Sequence, residues 1–444
     1  MGKPAFRSNS RLLGLSRRGT RGHNGAALNL LTATMKPTVI LLALVLGILL
    51  DGCTGRLPGA VPAAPEASVQ IRKINMLDAR AGWAWANGAG GPRVLRTSDG
   101  GRAWNDVTPH PFTKKVWDCQ FPKSPMAWIS FYDQRSRWLL TTNAGTTWEP
   151  WAPLDVGSND THNYFLAVEE CRFYDGNLGI AKLCDFGAGT AVYNFFETRD
   201  GGMSWKAVEV TPRNPNHNAG VAPGTFFLSN ISGDNIGYCP PGKFIVTYGD
   251  SPDLGRPKHS VRLSLTTDSG NSWRDLQLRL PDEYREAFAQ PQPPVFFGAR
   301  DGLLPVRVFT EQTNSHTCLA LLFYRTGDAG QTWTARRPLA AKEGSWAKDC
   351  VALSANQVIV RNGRSLYLTH DGAGTWRVVK PNIDLGAENS DRDVVQMDFV
   401  DAKHGWIIIS DNSGKPYYGN FALYKTSSGG KTWTELPLRM SRRY

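Results

Sequence analysis

One turn sequence recurs seven times along this chain, and that repetition constrains the fold more than any other feature. The first copy, RTSDGGRAW, ends at Trp104, and successive copies end at tryptophans 44, 57, 68, 60, 43 and 57 residues further along. An apolar run precedes each turn and an alternating segment follows it, as strands on either side of a turn require. A period of this length fits one four-stranded sheet with loops of variable length. We therefore predict an all-β domain over residues 69–444.

Each position of the repeated turn has a physical role. A short acidic side chain binds backbone N–H groups within the turn, and glycine supplies a positive φ at low cost. The hydroxyl residue before the tryptophan is expected to tie the turn to its neighbour, and the tryptophan to bury its ring between adjacent sheets. The acidic position is occupied by Asp99, Asn143, Asp200, Asp268, Asp328, Asp371 and Ser428. The glycine is Gly101, Gly145, Gly202, Gly270, Gly330 and Gly430, with Ala373 in the sixth copy. The tryptophans are Trp104, Trp148, Trp205, Trp273, Trp333, Trp376 and Trp433.

A second element recurs upstream of the turn. The segment MLDARAGWAWA at 76–86 matches FVDAKHGWIII at 399–409. Both alternate as two strands around a short turn, so they predict the first two strands of a sheet. Helical patterns are scarce, and the best candidate is a short surface helix at 281–290.

These turns resemble the Asp-box, or BNR, repeat, whose pattern is S/T-x-D-x-G-x-T-W. Seven copies in register resemble a seven-bladed β-propeller, with four antiparallel strands in each blade. The repeat is shared by sialidases, sorting receptors, xyloglucanases and photosystem II assembly factors. The resemblance therefore implies a fold and leaves the function open.

The N-terminal region resembles a bacterial lipoprotein signal. Residues 35–52 combine Lys36, an apolar run too short to span a bilayer comfortably, and a small residue before Cys53. Cys53 is then the expected lipidated residue, although Asp51 departs from the small or apolar residue usual there. Residues 53–68 are rich in Pro, Ala and Gly and predict a flexible tether. Ordinary secretion and an uncleaved anchor are the alternatives.

Residues 1–34 precede Met35 and contain no acid, so they are expected to be an extension outside the native protein. Residues 1–52 carry seven of the 50 Lys and Arg residues and one of the 39 acids. The formal charge of +11 therefore falls to about +5 without them. A mildly basic domain is not a strong polyanion binder, and we predict no nucleic-acid partner. The domain is expected to be monomeric.

The cysteines indicate an exported chain. Six of the seven remain when Cys53 is lipidated, and an even number suggests disulfides. Cys171 and Cys184 lie symmetrically about the turn DGNLG, so a hairpin would place them opposite each other. The other cysteines allow several pairings. Cysteine and histidine spacings do not match a zinc site, and we predict neither a metal nor a cofactor.

Catalytic patterns are not found in the sequence. The sialidases that share the repeat carry a Phe-Arg-Ile-Pro segment before the first box, and LLPVRV at 303–308 is not a substitute. A retaining glycosidase needs two carboxyl groups held close together, and no such pair is recognised. We expect a non-catalytic protein. The alternative is a carbohydrate-active one, either a sialidase-like glycoside hydrolase or a glycan-binding protein.

Two groups of residues are candidate binding sites. The first consists of acids near the start of a repeat's first strand: Asp118, Glu170, Asp349 and Asp393. They form either an acidic rim around the channel mouth or salt bridges between blades, with Lys348, Arg172 and Arg392 as partners. The second group lies in long insertions of the fourth repeat, and loops of that length are often functional. It consists of Arg213, His217, Asp253, Lys258, His259, Tyr284 and Arg285.

Taken together, these patterns predict an exported, lipid-anchored propeller that binds rather than catalyses. The resemblance to the photosystem II assembly group implies a scaffold or assembly role for an envelope protein. A glycan partner and a structural envelope module without a ligand are the alternatives.

Overall fold

The fold is described from a computed structural model of the chain. The described residues are 69–88, 91–109, 116–121, 125–132, 136–151, 166–173, 177–187, 190–208, 225–227, 236–239, 243–248, 260–268, 272–310, 317–342, 345, 349–387, 390–412 and 420–440. Residues 1–68 lie outside this set, and with them the predicted extension, signal peptide, Cys53 and tether.

The described residues form seven antiparallel sheets, numbered here in chain order. Sheet 1 contains β1 (Gln70–Met76), β2 (Gly82–Gly88), β3 (Gly91–Thr97) and β4 (Asn105–Asp106). Sheet 2 contains β5 (Val116–Gln120), β6 (Ala127–Tyr132), β7 (Ser136–Thr141) and β8 (Glu149–Trp151). Sheet 3 contains β9 (Leu166–Phe173), β10 (Gly179–Gly187), β11 (Thr190–Thr198), β12 (Lys206–Ala207) and β13 (Thr225–Phe227). Sheet 4 contains β14 (Ile236–Cys239), β15 (Lys243–Tyr248), β16 (Ser260–Thr266) and β17 (Arg274–Arg279).

The remaining sheets lie in the C-terminal half. Sheet 5 contains β18 (Phe288–Pro291), β19 (Val295–Phe297), β20 (Asp301–Phe309), β21 (Cys318–Thr326), β22 (Thr334–Ala335) and β23 (Leu339–Ala340). Sheet 6 contains β24 (Cys350–Ala352), β25 (Val358–Asn362), β26 (Ser365–Thr369) and β27 (Arg377–Val379). Sheet 7 contains β28 (Arg392–Phe399), β29 (Gly405–Asp411), β30 (Asn420–Thr426) and β31 (Trp433–Leu436). The all-β prediction is confirmed, and so are the two predicted strand pairs, which are β1–β2 and β28–β29.

Hydrogen-bonded neighbours follow the chain in most sheets, so each sheet is a simple meander. In sheets 3 and 5 extra short strands pair with the long central ones. The predicted helix at 281–290 is wrong. Only a 3₁₀ helix forms there, at Asp282–Tyr284, and strand β18 follows, because Phe288–Pro291 pairs with β20. No helix among the described residues is long and apolar enough to cross a bilayer.

The repeated turns close themselves through side-chain hydrogen bonds. In the first copy the Thr97 hydroxyl donates to Asp99 Oδ1 at 2.9 Å and accepts from the Gly101 N–H at 2.9 Å. The same carboxylate oxygen accepts from the Ala103 N–H at 3.0 Å, and Trp104 Nε1 donates to the Gly101 carbonyl at 3.1 Å. The predicted roles of the acid and the glycine are therefore confirmed here, and Gly101 has a φ of 89°.

The buried threonine that opens each turn was missing from the predicted roles. It is Thr97, Thr141, Thr198, Thr266, Thr326, Thr369 and Thr426 in the seven copies. In the fifth copy Thr326 donates to Asp328 and accepts from the Gly330 N–H, just as Thr97 does in the first. The threonine hydroxyl orients the carboxylate by a hydrogen bond, and the oriented carboxylate stabilises the turn.

The hydroxyl residue before the tryptophan acts within its own turn, so the predicted link to a neighbouring turn is wrong. Ser204 donates to Asp200 Oδ2 at 2.6 Å, and Thr332 donates to Asp328 Oδ2 at 2.6 Å. Geometry explains this result, because the hydroxyl lies four residues after the acid on the returning side of the turn.

Apolar side chains fill the spaces between neighbouring sheets. Trp104 and Trp433 are fully buried box tryptophans, and each packs in a cluster that joins its own sheet to the adjacent one. The other box tryptophans are half-buried. Between sheets 3 and 4 the aromatic rings of Phe195 and Phe244 meet at 5.6 Å. The predicted burial of the tryptophan ring is therefore complete in two of the turns and partial in the rest.

The last sheet contacts the first. The Trp104 N–H donates to the Arg439 carbonyl at 2.9 Å, and Trp104 forms a parallel bridge with Met440. On the other side of the turn, Trp406 Nε1 donates to the Gly100 carbonyl at 3.0 Å. Residues more than 300 positions apart in the chain are thereby joined.

The predicted disulfide is wrong. Strands β9 and β10 pair with Cys171 opposite Ala181 and Cys184 opposite Ala167. The partner of Cys171 therefore lies three positions before Cys184, and a bulge shifts the register further. Cys171 is accordingly present as a thiol.

Candidate functional site

The first strands of the sheets form the surface on which the predicted acids lie. Four of these strands, β1, β5, β9 and β28, carry a register shift at the same place, just before Lys73, Asp118, Glu170 and Gln396. These four residues are therefore equivalent by position. A bulge redirects the side chains that follow it, so it sets what this surface presents.

Polar side chains after the bulge bind the backbone of the next first strand. Gln396 accepts from the Ile74 N–H at 2.8 Å and donates to its carbonyl at 2.7 Å. Asp398 accepts from the Met76 N–H at 2.8 Å. Lys73 in turn donates to the Cys119 carbonyl of sheet 2 at 3.2 Å. These side chains join the first strands of sheets 7, 1 and 2 in succession.

A buried arginine joins sheets 6 and 7 at the start of their first strands. The Arg361 side chain is 0% exposed, and its Nη1 lies 3.0 Å from Asp349 Oδ2 and 2.6 Å from Asp393 Oδ1. Its Nη2 donates to the carbonyls of Leu385 at 3.2 Å and Gly386 at 3.0 Å.

The last of the five guanidinium donors is also used. Arg361 Nε donates to the Gly363 carbonyl at 3.3 Å. All five N–H groups of this guanidinium are therefore matched. Such a charge is tolerated inside a protein because two carboxylates and three carbonyls replace its water.

We call Arg361, Asp349 and Asp393 the Arg361 clamp. It distinguishes between the acidic-rim and the salt-bridge interpretations of Asp349 and Asp393. Both acids are bound by one buried cation that links neighbouring sheets, as the salt-bridge interpretation required. The partner is Arg361, however, and not Lys348 or Arg392. Arg392 instead pairs with Asp411 at 3.1 Å. For these two acids the contacts favour the salt-bridge interpretation over an exposed acidic rim, because Arg361 binds both carboxylates.

The side chains of the other two acids lie outside the described set. Asp118 is in β5, opposite Ser130, and Glu170 is in β9, opposite Lys182. Their predicted binding role stays a prediction.

The fourth-repeat group is only partly described. Arg213, His217, Asp253, Lys258 and His259 lie outside the described residues. Tyr284 ends the 3₁₀ helix and packs against the apolar cluster between sheets 4 and 5, and burial raises the pKa of its phenol. Arg285 is exposed and lies 3.4 Å from Glu286. Both residues lie in the connection between sheets 4 and 5.

The acidic residues of the repeated turns accept hydrogen bonds from within their own turns. Burial opposes ionisation of Asp99 and Asp328, but hydrogen bonds outweigh it and lower the pKa of both carboxyls. The donors are the Ala103 N–H and Thr97 hydroxyl for Asp99, and the Thr332 hydroxyl and N–H for Asp328. A carboxylate that accepts several short bonds is held for structure, as the sequence predicted.

Asp398 differs from the acids of the repeated turns, because its pKa is raised and theirs are lowered. Burial raises its pKa to about 6, and the hydrogen bond from the Met76 N–H only partly opposes that shift. Because Asp398 lies at the contact between sheets 7 and 1, its protonation is coupled to the joining of those sheets.

The sequence did not single out Arg361, Gln396 or Asp398. A signal for Arg361 was present, since it is the one charge in the apolar strand VIVRN, where every residue is buried. A lone charge in such a strand indicates a buried ion pair. Gln396 and Asp398 gave no comparable signal, because alternating polar residues are ordinary in a half-exposed strand.

A cavity lies between sheets 5 and 6, and the sequence gave no indication of it. Its volume is about 190 Å³, and it is lined by side chains from β19, β20, β21 and β24. In the part of the chain that the structure describes, no cluster of His, Cys, Asp and Glu has the arrangement of a metal site.

Comparisons with known proteins give distant likenesses only. No protein-family model and no curated protein matches the chain. A structure of YCF48 from Cyanidioschyzon merolae is 15% identical over 83% of this chain and 97% of its own, with a TM-score of 0.41. Another, of YCF48 bound to a D1 peptide, is 15% identical over 77% of this chain and 90% of its own, also at 0.41. The β-propeller domain of the Trilobed protease from Pyrococcus furiosus is 8% identical over 83% of this chain and 98% of its own, at 0.44. Likenesses this distant assign neither a family nor a function.

Proposed function

We propose that this chain is an exported, lipid-anchored, seven-bladed β-propeller that binds a protein partner at the cell envelope and does not catalyse. In this proposal each of the seven sheets is one blade, and Cys53 carries the lipid. The tether at 53–68 then holds the propeller away from the membrane.

The contacts between sheets support the ring. Each sheet meets the next through apolar side chains, and side chains of sheet 7 bind the backbone of sheet 1. The segment that ends at Met440 pairs with Trp104, which supplies the contact that the last blade of a ring needs with the first. Closure of this kind removes exposed sheet faces and gives a rigid support for loops.

The Arg361 clamp carries the non-catalytic part of the proposal. A retaining glycosidase needs one carboxylate as a nucleophile and a second as a proton donor, both facing the substrate. Asp349 and Asp393 are the two predicted acids that the structure brings together, and Arg361 neutralises both. Their geometry serves to join blades.

The protein-binding part rests on the loops of the fourth repeat. Loops on a rigid scaffold are where binding residues concentrate. The two described members of that group, Tyr284 and Arg285, belong to the residue types that contribute most energy at protein interfaces. Arg285 is 72% exposed, which leaves its guanidinium accessible to a partner.

Affinity capture tests this proposal. The protein is crosslinked lightly in its native envelope and purified, and bound proteins and glycans are identified by mass spectrometry. The test variant is Arg213→Ala/His217→Ala/Lys258→Ala/Arg285→Ala. The control Arg80→Ala/Arg102→Ala/Lys403→Ala/Lys431→Ala removes the same number of basic residues from sheets 1 and 7.

A protein that is captured by the wild type and the control, and lost in the test variant, supports the proposal. Capture of glycan without protein contradicts it and favours the carbohydrate-active alternative. The anchor is tested separately, because Cys53→Ser should abolish the lipid-modified N-terminal peptide that mass spectrometry detects in the wild type.

A further inference from the structure

The cavity between sheets 5 and 6 has the size of a small aromatic ring with one substituent. Its volume of about 190 Å³ slightly exceeds the roughly 150 Å³ of an engineered apolar cavity that binds benzene. It is smaller than the roughly 300–1,000 Å³ of pockets for drug-sized ligands. A ligand of about nine non-hydrogen atoms therefore fits, and a sugar chain does not.

The walls of the cavity are mostly apolar. Val295 of β19, Leu321 and Phe323 of β21 and Ala352 of β24 all contribute to the lining. Leu321 and Phe323 are buried, so the cavity extends to the packed interior of sheet 5. An apolar lining favours a hydrocarbon or aromatic body in the ligand.

Cys350 is part of this apolar wall. Burial, followed by the nearby charge of Asp349, raises the pKa of the Cys350 thiol to about 12. The sulfur therefore stays protonated at any physiological pH and acts as a small apolar group, not as a nucleophile.

Two polar side chains also line the cavity, so they can orient a bound ligand. Arg307 lines it from the second strand of sheet 5, on the same strand face as Leu303 and Pro305, and Gln292 lines it from the preceding connection. The described lining contains no acidic side chain. A guanidinium has five N–H donors, so it can bind a carboxylate through two of them and keep other contacts through the rest.

We propose that this cavity binds a small monocarboxylate with an aromatic or branched apolar body, whose carboxylate is received by Arg307 and Gln292. The apolar body lies against Leu321, Phe323 and Ala352. This site is independent of the proposed protein-binding function, since it lies at the contact between sheets 5 and 6 and uses none of the seven candidate residues of the fourth-repeat group.

Calorimetric titration of the purified full chain with benzoate and benzamide tests the proposal. The two ligands have the same size and shape and differ in charge. For benzoate we expect a Kd on the order of 1 mM or tighter, as a ligand of this size allows. Benzamide is expected to bind at least about tenfold more weakly, because it lacks the charge-assisted hydrogen bonds.

Three variants locate the site. Arg307→Met keeps an unbranched apolar stem without the charge, and it should weaken benzoate by about tenfold or more while leaving benzamide unchanged. Ala352→Phe fills the cavity and should abolish binding of both ligands. Arg300→Met is the control, because Arg300 lies on the exposed turn of the same sheet, where its Nε donates to the Gly327 carbonyl at 3.1 Å.

Several results would overturn the proposal. They are equal affinity for benzoate and benzamide, no heat of binding for either at 10-fold above the expected Kd, and full benzoate binding in Ala352→Phe. Should Ala352→Phe fail to fold, the Arg307→Met and Arg300→Met pair still decides, because loss of benzoate binding in both would also refute the assignment.

Discussion

Replacement of Arg361 by methionine should destabilise the protein strongly. Methionine keeps most of the apolar stem, but it removes all five donors of the guanidinium. Asp349 and Asp393 are each 14% exposed as side chains, so both would be left as poorly hydrated charges. Three backbone carbonyls would lose their donor as well.

The expected cost follows from how buried ion pairs behave. Removal of one partner from such a pair costs about 3–5 kcal/mol, because the remaining charge is left uncompensated. With an unfolding entropy of about 2 cal/mol/K per residue, a loss of 4 kcal/mol corresponds to a fall in Tm of about 5 °C for a domain of this length. Urea unfolding and thermal scans of the purified protein measure both quantities.

A second variant tests whether the loss of stability comes from the two uncompensated carboxylates. In Arg361→Met/Asp349→Asn/Asp393→Asn both carboxylates are neutral, and replacement of a whole buried ion cluster is often nearly neutral. We expect this variant to recover at least half of the lost stability. Exposed Arg364→Met is the control, since Arg364 pairs with Asp384 at the surface and should cost less than about 1 kcal/mol. A loss of less than about 1 kcal/mol of unfolding free energy for Arg361→Met, or no recovery of stability in the triple variant, would show that Arg361 does not compensate two buried charges.

Three further predictions concern the sheet contacts and the turns. Because the folded pKa of Asp398 is raised to about 6, its contribution to stability is present below about pH 4 and is lost as the pH rises through 6, by at most about 3 kcal/mol. Asp398→Asn should therefore flatten the decline of the urea midpoint between pH 4.5 and 7.5, and an unchanged profile would contradict this. Deletion of residues 438–444 should expose the Trp104 amide to fast hydrogen exchange, because its acceptor is removed; retained protection would count against closure by this segment. Ala144→Gly, at a φ of 61°, should stabilise by about 1 kcal/mol, whereas Ala373→Gly, at 64°, should be nearly neutral because it also loses a fully buried methyl group worth about 0.8 kcal/mol. Equal changes in Tm for the two variants would show that the buried methyl has no role.

Local patterns predicted the strands and turns well. Seven copies of one turn indicated seven sheets, and the structure shows that number within its described residues. The acid and the glycine of the turn act as predicted because both roles depend on a few neighbouring residues. In the sixth copy Ala373 adopts the left-handed conformation that glycine has elsewhere. The stability of the turn therefore exceeds the conformational cost of a positive φ at alanine.

Contacts between distant parts of the chain were harder to predict. The pairing of Cys171 and Cys184 depended on the hairpin register, and that register differs from the predicted one at Cys171, between the turn and the bulge. The sequence placed Asp349 and Asp393 correctly near the starts of first strands, but their partner comes from a second strand.

Arg361 could be recognised as buried from its apolar neighbours, yet nothing local shows which acids it would reach. Gly386 illustrates the same limit. Its φ of 73° and a carbonyl of Arg392 that would lie 1.8 Å from any added Cβ are products of the connection between sheets 6 and 7. The cavity beside Arg307 likewise arises from two sheets that are far apart in the sequence.

Mapping of crosslinked residues in intact cells shows whether a protein partner binds this chain at the fourth-repeat loops, as we propose. A short amine-reactive and carboxyl-reactive crosslinker is applied to cells that carry the full-length chain, and linked peptides are identified by mass spectrometry. We expect links from Lys258, Asp253 and Glu286 to one partner protein, and few links from Lys403 and Lys431 of sheet 7. Links concentrated on Lys403 and Lys431, or glycan adducts without any protein partner, would contradict the proposal.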